Sequence, residues 1–98
     1  MSLNAERKAE MVQSLKKDYV VLTEIVIEVV ADTYADMHVL KWENQQPPEL
    51  EQDKKHLIGL KETYSSLYKT EPEKAVDIIE QIYEISEKYN KLRMEKGL

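Results

Sequence analysis

The stretch Tyr19-Val20-Val21-Leu22-Thr23-Glu24-Ile25-Val26-Ile27-Glu28-Val29-Val30 decides the fold class, because it admits two readings. Its valines and isoleucines favour a pleated surface and could mark a strand. No turn residue brackets the run, however, and the rest of the chain offers a lone strand no partner, so helix is the reading that holds. Leu15, Tyr19, Leu22, Val26, Val29, Thr33, Asp36 or Met37, and Leu40 follow one another at alternating steps of four and three, the spacing of one helix face. Val20, Val21, Ile25, Ile27, Val30 and Tyr34 place further apolar groups on other faces, so this helix must be covered on more than one side.

Outward from that run, residues 4–44 contain neither proline nor glycine, and Asn4 is placed to cap the start. The segment is expected to form one helix of about 40 residues, about 60 Å long, with Lys17-Asp18 as the place for a kink. The strong breaks are Pro47-Pro48 and Thr70-Glu71-Pro72. A proline inside a helix costs about 3 kcal/mol but is tolerated in the first turn, so these prolines open two further helices. The second carries Leu50, Leu57, Leu60, Tyr64 and Leu67 on one stripe, with Gly59 expected to permit close helix contact. The third opens with Thr70 as expected N-cap and carries Ala75, Ile78, Ile79, Ile82, Ile85, Tyr89 and Leu92, with Lys88, Lys91, Arg93 and Lys96 towards its end, where the helix dipole favours cations. The expected fold is all-α: a three-helix bundle with a long first helix and an antiparallel helical hairpin, in a single helical domain spanning residues 1–98.

Composition narrows the function. The 98 residues carry 19 acids against 14 bases for a net charge of −5, and Arg7 and Arg93 are the arginines, which argues against nucleic acid as a partner. Hydrophobic residues make up 42% and charged ones 34%, too apolar for a disordered tail and too charged for a membrane span. The lack of cysteine excludes disulfides and thiolate chemistry and fits a reducing compartment. Residues 4–10 are charged where a signal peptide would be apolar, so the reading is cytoplasmic.

Catalytic constellations are not evident. Asp53-x-x-His56 has the spacing of a single carboxylate–histidine pair, whereas a di-metal bundle needs two such pairs and several glutamates. Glu84-x-x-Glu87 has the form of half of the acidic magnesium motif of helical nucleotide pyrophosphohydrolases, but the companion Glu-x-x-Asp half is missing. Two arginines are too few for a three-helix chorismate mutase. His38 and His56 lack neighbours that would make a nucleophile. No catalytic residue, metal or cofactor is expected. Glu24, Glu28, Asp32 and Asp36 instead form an acidic stripe every four residues, which is either a solvated helix face or a surface for a basic partner. Tyr19 and Trp42 lie where two shorter helices cannot fully cover the long one, and exposed aromatics of that kind can anchor an interface.

Glu24-Ile25 followed by Glu28, Ala31 and Tyr34, then Leu57-Ile58-x-Leu60-Lys61-Glu62, then Ser66-Leu67-Tyr68, Tyr83 and Tyr89-x-Lys91 occur in an order that resembles the epsilon antitoxins of bacterial epsilon/zeta toxin-antitoxin systems. The resemblance covers residues 19–96 and rests on helix-surface residues without a catalytic signature. It implies a short acidic three-helix inhibitor that neutralises a zeta-type kinase acting on UDP-N-acetylglucosamine. The first helix would obstruct the kinase's nucleotide site within a two-plus-two complex. The chain departs from that pattern in its charged extension at residues 4–17 and in Pro47-Pro48, which puts the position of the blocking helix in doubt. The expected function is a non-enzymatic protein-binding inhibitor that works as a homodimer or hetero-oligomer, using Asp18, Tyr19, Leu22, Glu24 and Glu28. The competing expectation is a helical structural or adaptor protein that self-associates through the apolar surplus of residues 20–30.

Overall fold

The computed structural model describes residues 3–98, and these form four helices: α1 (Ala5–Lys17), α2 (Tyr19–Trp42), α3 (Leu50–Leu67) and α4 (Pro72–Glu95). No strand occurs among the described residues, so the 19–30 run is helical. The long first helix does not survive as one piece. Asp18 takes an extended conformation (φ −159°, ψ 101°) and ends one helix while starting the next. Its N–H donates to the Ser14 carbonyl at 2.8 Å, and its carboxylate accepts from the Val20 N–H at 3.0 Å. The chain therefore reverses where a kink was expected. A straight 40-residue rod would leave Met11 and Leu15 in water. Folding back buries both, each to 4% exposure, and burying side chains of this size is worth about 1.5–3 kcal/mol apiece.

The reversal sets the topology. α1 runs antiparallel to α4, as shown by Lys16 pairing with Glu73 and Lys8 with Asp77 and Glu80. Thr23 meets Tyr64 and Lys41 meets Glu51, so α2 runs antiparallel to α3 and in the same direction as α4, which it joins through Asp36 and Arg93. α3 returns antiparallel to α4, with Lys88 paired to Glu49 and Asp53, which is the expected hairpin. α2 and α4 form the spine, α1 and α3 flank it on opposite sides without meeting, and α3 leans on α4 more than on α2. The molecule measures 43 × 23 × 19 Å, too short for a 60 Å helix.

The core is one cluster. Met11 and Leu15 from α1, Leu22, Val26, Val30, Met37 and Leu40 from α2, Leu57 and Leu60 from α3, and Ala75, Val76, Ile79, Ile82 and Ile85 from α4 fill it. Tyr64 and Tyr89 are buried with their hydroxyls satisfied. Tyr64 pairs with the Thr23 hydroxyl at 2.8 Å, and Tyr89 donates to Asp53 at 2.6 Å. Burial of the Asp53 carboxylate works against its charge, but the hydrogen bonds from Lys88 and Tyr89 outweigh that and hold it below the usual carboxylate range.

Three local expectations find their outcome here. Asn4 does cap α1, accepting from the Arg7 N–H at 2.7 Å. Thr70 does not cap α4. The N–H groups of Thr70 and Glu71 both turn back to the Leu67 carbonyl, and this tight turn puts Glu71 at the cap position. Gly59 is not at a close contact either, since a Cβ there would meet nothing within 4 Å. Among the described residues, no helix is long and apolar enough to cross a membrane.

Candidate protein-binding face

α2 carries more apolar surface than the fold uses. Its inward residues are Leu22, Val26, Val30, Thr33, Met37 and Leu40, and even Thr33 is satisfied, its hydroxyl donating to the Val29 carbonyl at 2.7 Å. On the outward side Val20, Val21, Ile25 and Ile27 remain 46, 57, 38 and 53% exposed. Glu24 and Glu28 stand exposed among them, and neither lysine nor arginine occurs between Tyr19 and Leu40. The result is a ridge of β-branched side chains interrupted by carboxylates. Single apolar residues are normal on a surface, but four on two turns of one helix, set on either side of Glu24 and Glu28, concentrate exposed apolar area on one element.

The residues named from sequence are distributed unevenly around this ridge. Glu24 and Glu28 are on it. Leu22 is not, because it faces inward at 7% exposure and belongs to the core. Asp18 is exposed, but its carboxylate holds the α1–α2 joint by capping α2. Tyr19 is partly covered: its ring lies 5.0 Å from that of Tyr68, with the Lys69 ammonium 5.0 Å above it, and Tyr68 in turn stacks on Tyr64. The acidic stripe also divides. Asp36 is engaged by Arg93 at 2.7 Å, which makes it a structural carboxylate, whereas Glu24, Glu28 and Asp32 point to solvent.

Sequence reasoning missed which apolar residues the ridge would consist of. The signal was present in the surplus it noted around residues 20–30. The step from surplus to exposure needed the phase of the helix, which Val26, Val30 and Met37 fix once they are known to face α4. Trp42, at 79% exposure, lies at the far end of α2 with the His38 ring 6.3 Å away.

One of the other candidate residues has a structural role. Asp53, half of the single carboxylate–histidine pair, accepts from both Lys88 Nζ and Tyr89 Oη at 2.6 Å. The Lys88 ammonium is held protonated more firmly than an ordinary lysine by its hydrogen bond to Asp53. No three histidine, aspartate or glutamate side chains among the described residues converge in a way that would hold a metal ion. What the ridge can do is bury apolar area against another surface while its carboxylates select for positive charge at the margin. Compared with protein-family models, with curated proteins and with solved structures, the chain shows no match, so its functional reading rests on its own residues.

Proposed function

We propose that this chain is a non-enzymatic protein-binding inhibitor, seating the ridge of α2 in an apolar groove rimmed by lysines or arginines on a partner protein. The observation that carries this reading is the exposure of Val20, Val21, Ile25 and Ile27 around Glu24 and Glu28, on a helix without a basic residue until Lys41. In its sharpest form the partner is a zeta-type kinase and the chain an epsilon-like antitoxin. α2, α3 and α4 then correspond to the three helices on which the resemblance rests, and α1 is the added extension. Carboxylates on the blocking helix suit a pocket built to hold phosphate. The test is affinity isolation of the tagged chain from its source cells, with mass spectrometry of what co-elutes. A stoichiometric P-loop kinase, lost on Ile27→Lys with Glu24→Lys, is the expected result. Recovery of the chain by itself as an oligomer removes the inhibitor reading.

Self-association is the second reading, and one observation favours it. Lys54, Lys55 and Lys61 stand exposed on α3 and Glu24 and Glu28 on α2, and none of the five has an ion pair among the described residues. A two-fold axis would set one copy's acids against the other's lysines. Replacing the acids by lysine in one variant and the lysines by glutamate in another should make each monomeric in light scattering, while mixing the two restores a dimer. Monomeric wild type at high concentration rules this reading out.

A further inference from the structure

No local signal forbids one helix over residues 5–42. That stretch has neither proline nor glycine, and within it Asp18 alone leaves the helical conformation. The break is enforced from a distance, because Met11 and Leu15 reach the core only when α1 folds back. The joint is a single residue, shorter than the loops of about 2–5 residues that usually connect antiparallel helices. Short joints of this kind favour exchange of the element beyond them between copies of a chain.

Everything that holds α1 lies on α2 and α4, and α1 does not meet α3. Met11 and Leu15 pack into the shared core. Lys16 pairs with Glu73 at 3.4 Å, and Lys8 pairs with Asp77 at 3.2 Å and Glu80 at 3.1 Å. The Leu3 N–H donates to Glu80 at 2.8 Å. A second copy of the chain presents the same groove and the same carboxylates. α1 can therefore dock on that copy with all of these contacts remade, and the apolar side chains that a straight helix would leave in water are covered again.

We propose that this chain binds a second copy of itself by exchanging α1. In the exchanged dimer Asp18 is helical, residues 5–42 form one helix about 57 Å long, and α1 of each copy lies on α2 and α4 of the other. Within one molecule α1 runs antiparallel to α2, so the two long helices of the dimer run antiparallel about a two-fold axis at the joint, a closed and symmetric arrangement. The first turn of each α2, with the exposed Val20 and Val21, then comes next to the other copy. This dimer is made by α1 and Asp18, unlike the face-to-face pairing of α2 acids with α3 lysines.

The first test on the full chain is a proline at the joint. Tyr19→Pro puts proline at the first position of α2, where it is tolerated, and favours the extended Asp18 of the folded-back form. Inside a continuous helix the same proline clashes and removes a hydrogen bond. Wild type should show a dimer that grows with concentration in sedimentation velocity. Tyr19→Pro should lower the dimer fraction by about tenfold or more, and Tyr19→Ala, which removes the same ring, by about threefold or less. The second test mixes two charge-reversed variants, Lys8→Glu with Lys16→Glu and Glu73→Lys with Asp77→Lys. Each alone sets like charges against each other between α1 and α4, whereas an exchanged heterodimer opposes unlike charges at both docks. Native mass spectrometry of the mixture should show heterodimer over homodimers by about tenfold or more, and adding Tyr19→Pro to both variants should abolish it. If Tyr19→Pro fails to fold, the mixing ratio decides by itself. A statistical mixture of dimers, a heterodimer that persists with Tyr19→Pro, or a wild type that stays monomeric at every concentration would overturn the proposal.

Discussion

α2 and α4 have the same length and direction and lie against each other, yet their sequences are used differently. Apart from Met94 at its end, the large apolar residues of α4 are buried or half-buried, because helices flank it on three sides. α2 touches α1, α3 and α4 as well, but α1 and α3 lean on it less than on α4, and it is apolar nearly all round, so Val20, Val21, Ile25 and Ile27 are left exposed. A helix that is apolar on every side is normally buried on every side. The sequence of α4 is accounted for by the fold alone, and that of α2 is not. The exposed apolar residues of α2 are therefore the part of the sequence that burial does not explain.

The largest effect that would test this contrast is in α4. Ile82 is fully buried, and Ile82→Ala should lower stability by about 2–5 kcal/mol in urea denaturation, as truncations at packed sites do. Asp53 comes next. Asp53→Asn removes the carboxylate that Lys88 and Tyr89 share and should cost about 1–3 kcal/mol at pH 7. The sign of its pH dependence follows from the depressed pKa of the folded carboxyl. Protonation favours the unfolded chain, so the contribution is complete above the unfolded value of about 4 and is lost as pH falls through the lower folded value. The gap between wild type and Asp53→Asn should therefore narrow between neutral pH and pH 3.

Gly59→Ala works in the opposite direction. The position is helical and open, so alanine should stabilise by about 0.5–1 kcal/mol in thermal melts through backbone entropy. The smallest effect on stability belongs to the ridge: Ile27→Lys should change it by about 0.5 kcal/mol or less, as at other surface positions, while lowering affinity for the partner proposed above. If Ile27→Lys instead destabilised as strongly as Ile82→Ala, the distinction between the two helices would fail.

Much of this architecture can be read directly from residues. The 19–30 run is helical, Pro72 opens α4 while Pro47-Pro48 lie in the connection just before α3, and the stripes on both helices supply their core. The missed feature was the reversal at Asp18. Neither proline nor glycine marks it, and the reason for it is long-range: Met11 and Leu15 find burial only against α2 and α4, which local propensity does not register. Asp18 carried a weak local sign, being a residue that caps helices well just before an apolar run. Leu22 was misplaced because a regular four-and-three seam gives spacing without saying which side faces inward. The exposure of Val21 and Ile27 became visible only when α4 fixed that side.

The joint at Asp18 has a mechanical consequence. A connection of one residue confines the freedom between α1 and the bundle almost entirely to two torsions, with no slack to absorb error. Because α1 is a rigid lever about 20 Å long, a rotation of about 10° at the joint displaces its far tip by about 3–4 Å. The joint therefore cannot position that tip, and the clasp between the Leu3 N–H and Glu80, at the end of the lever, has the greatest mechanical advantage in holding α1 down.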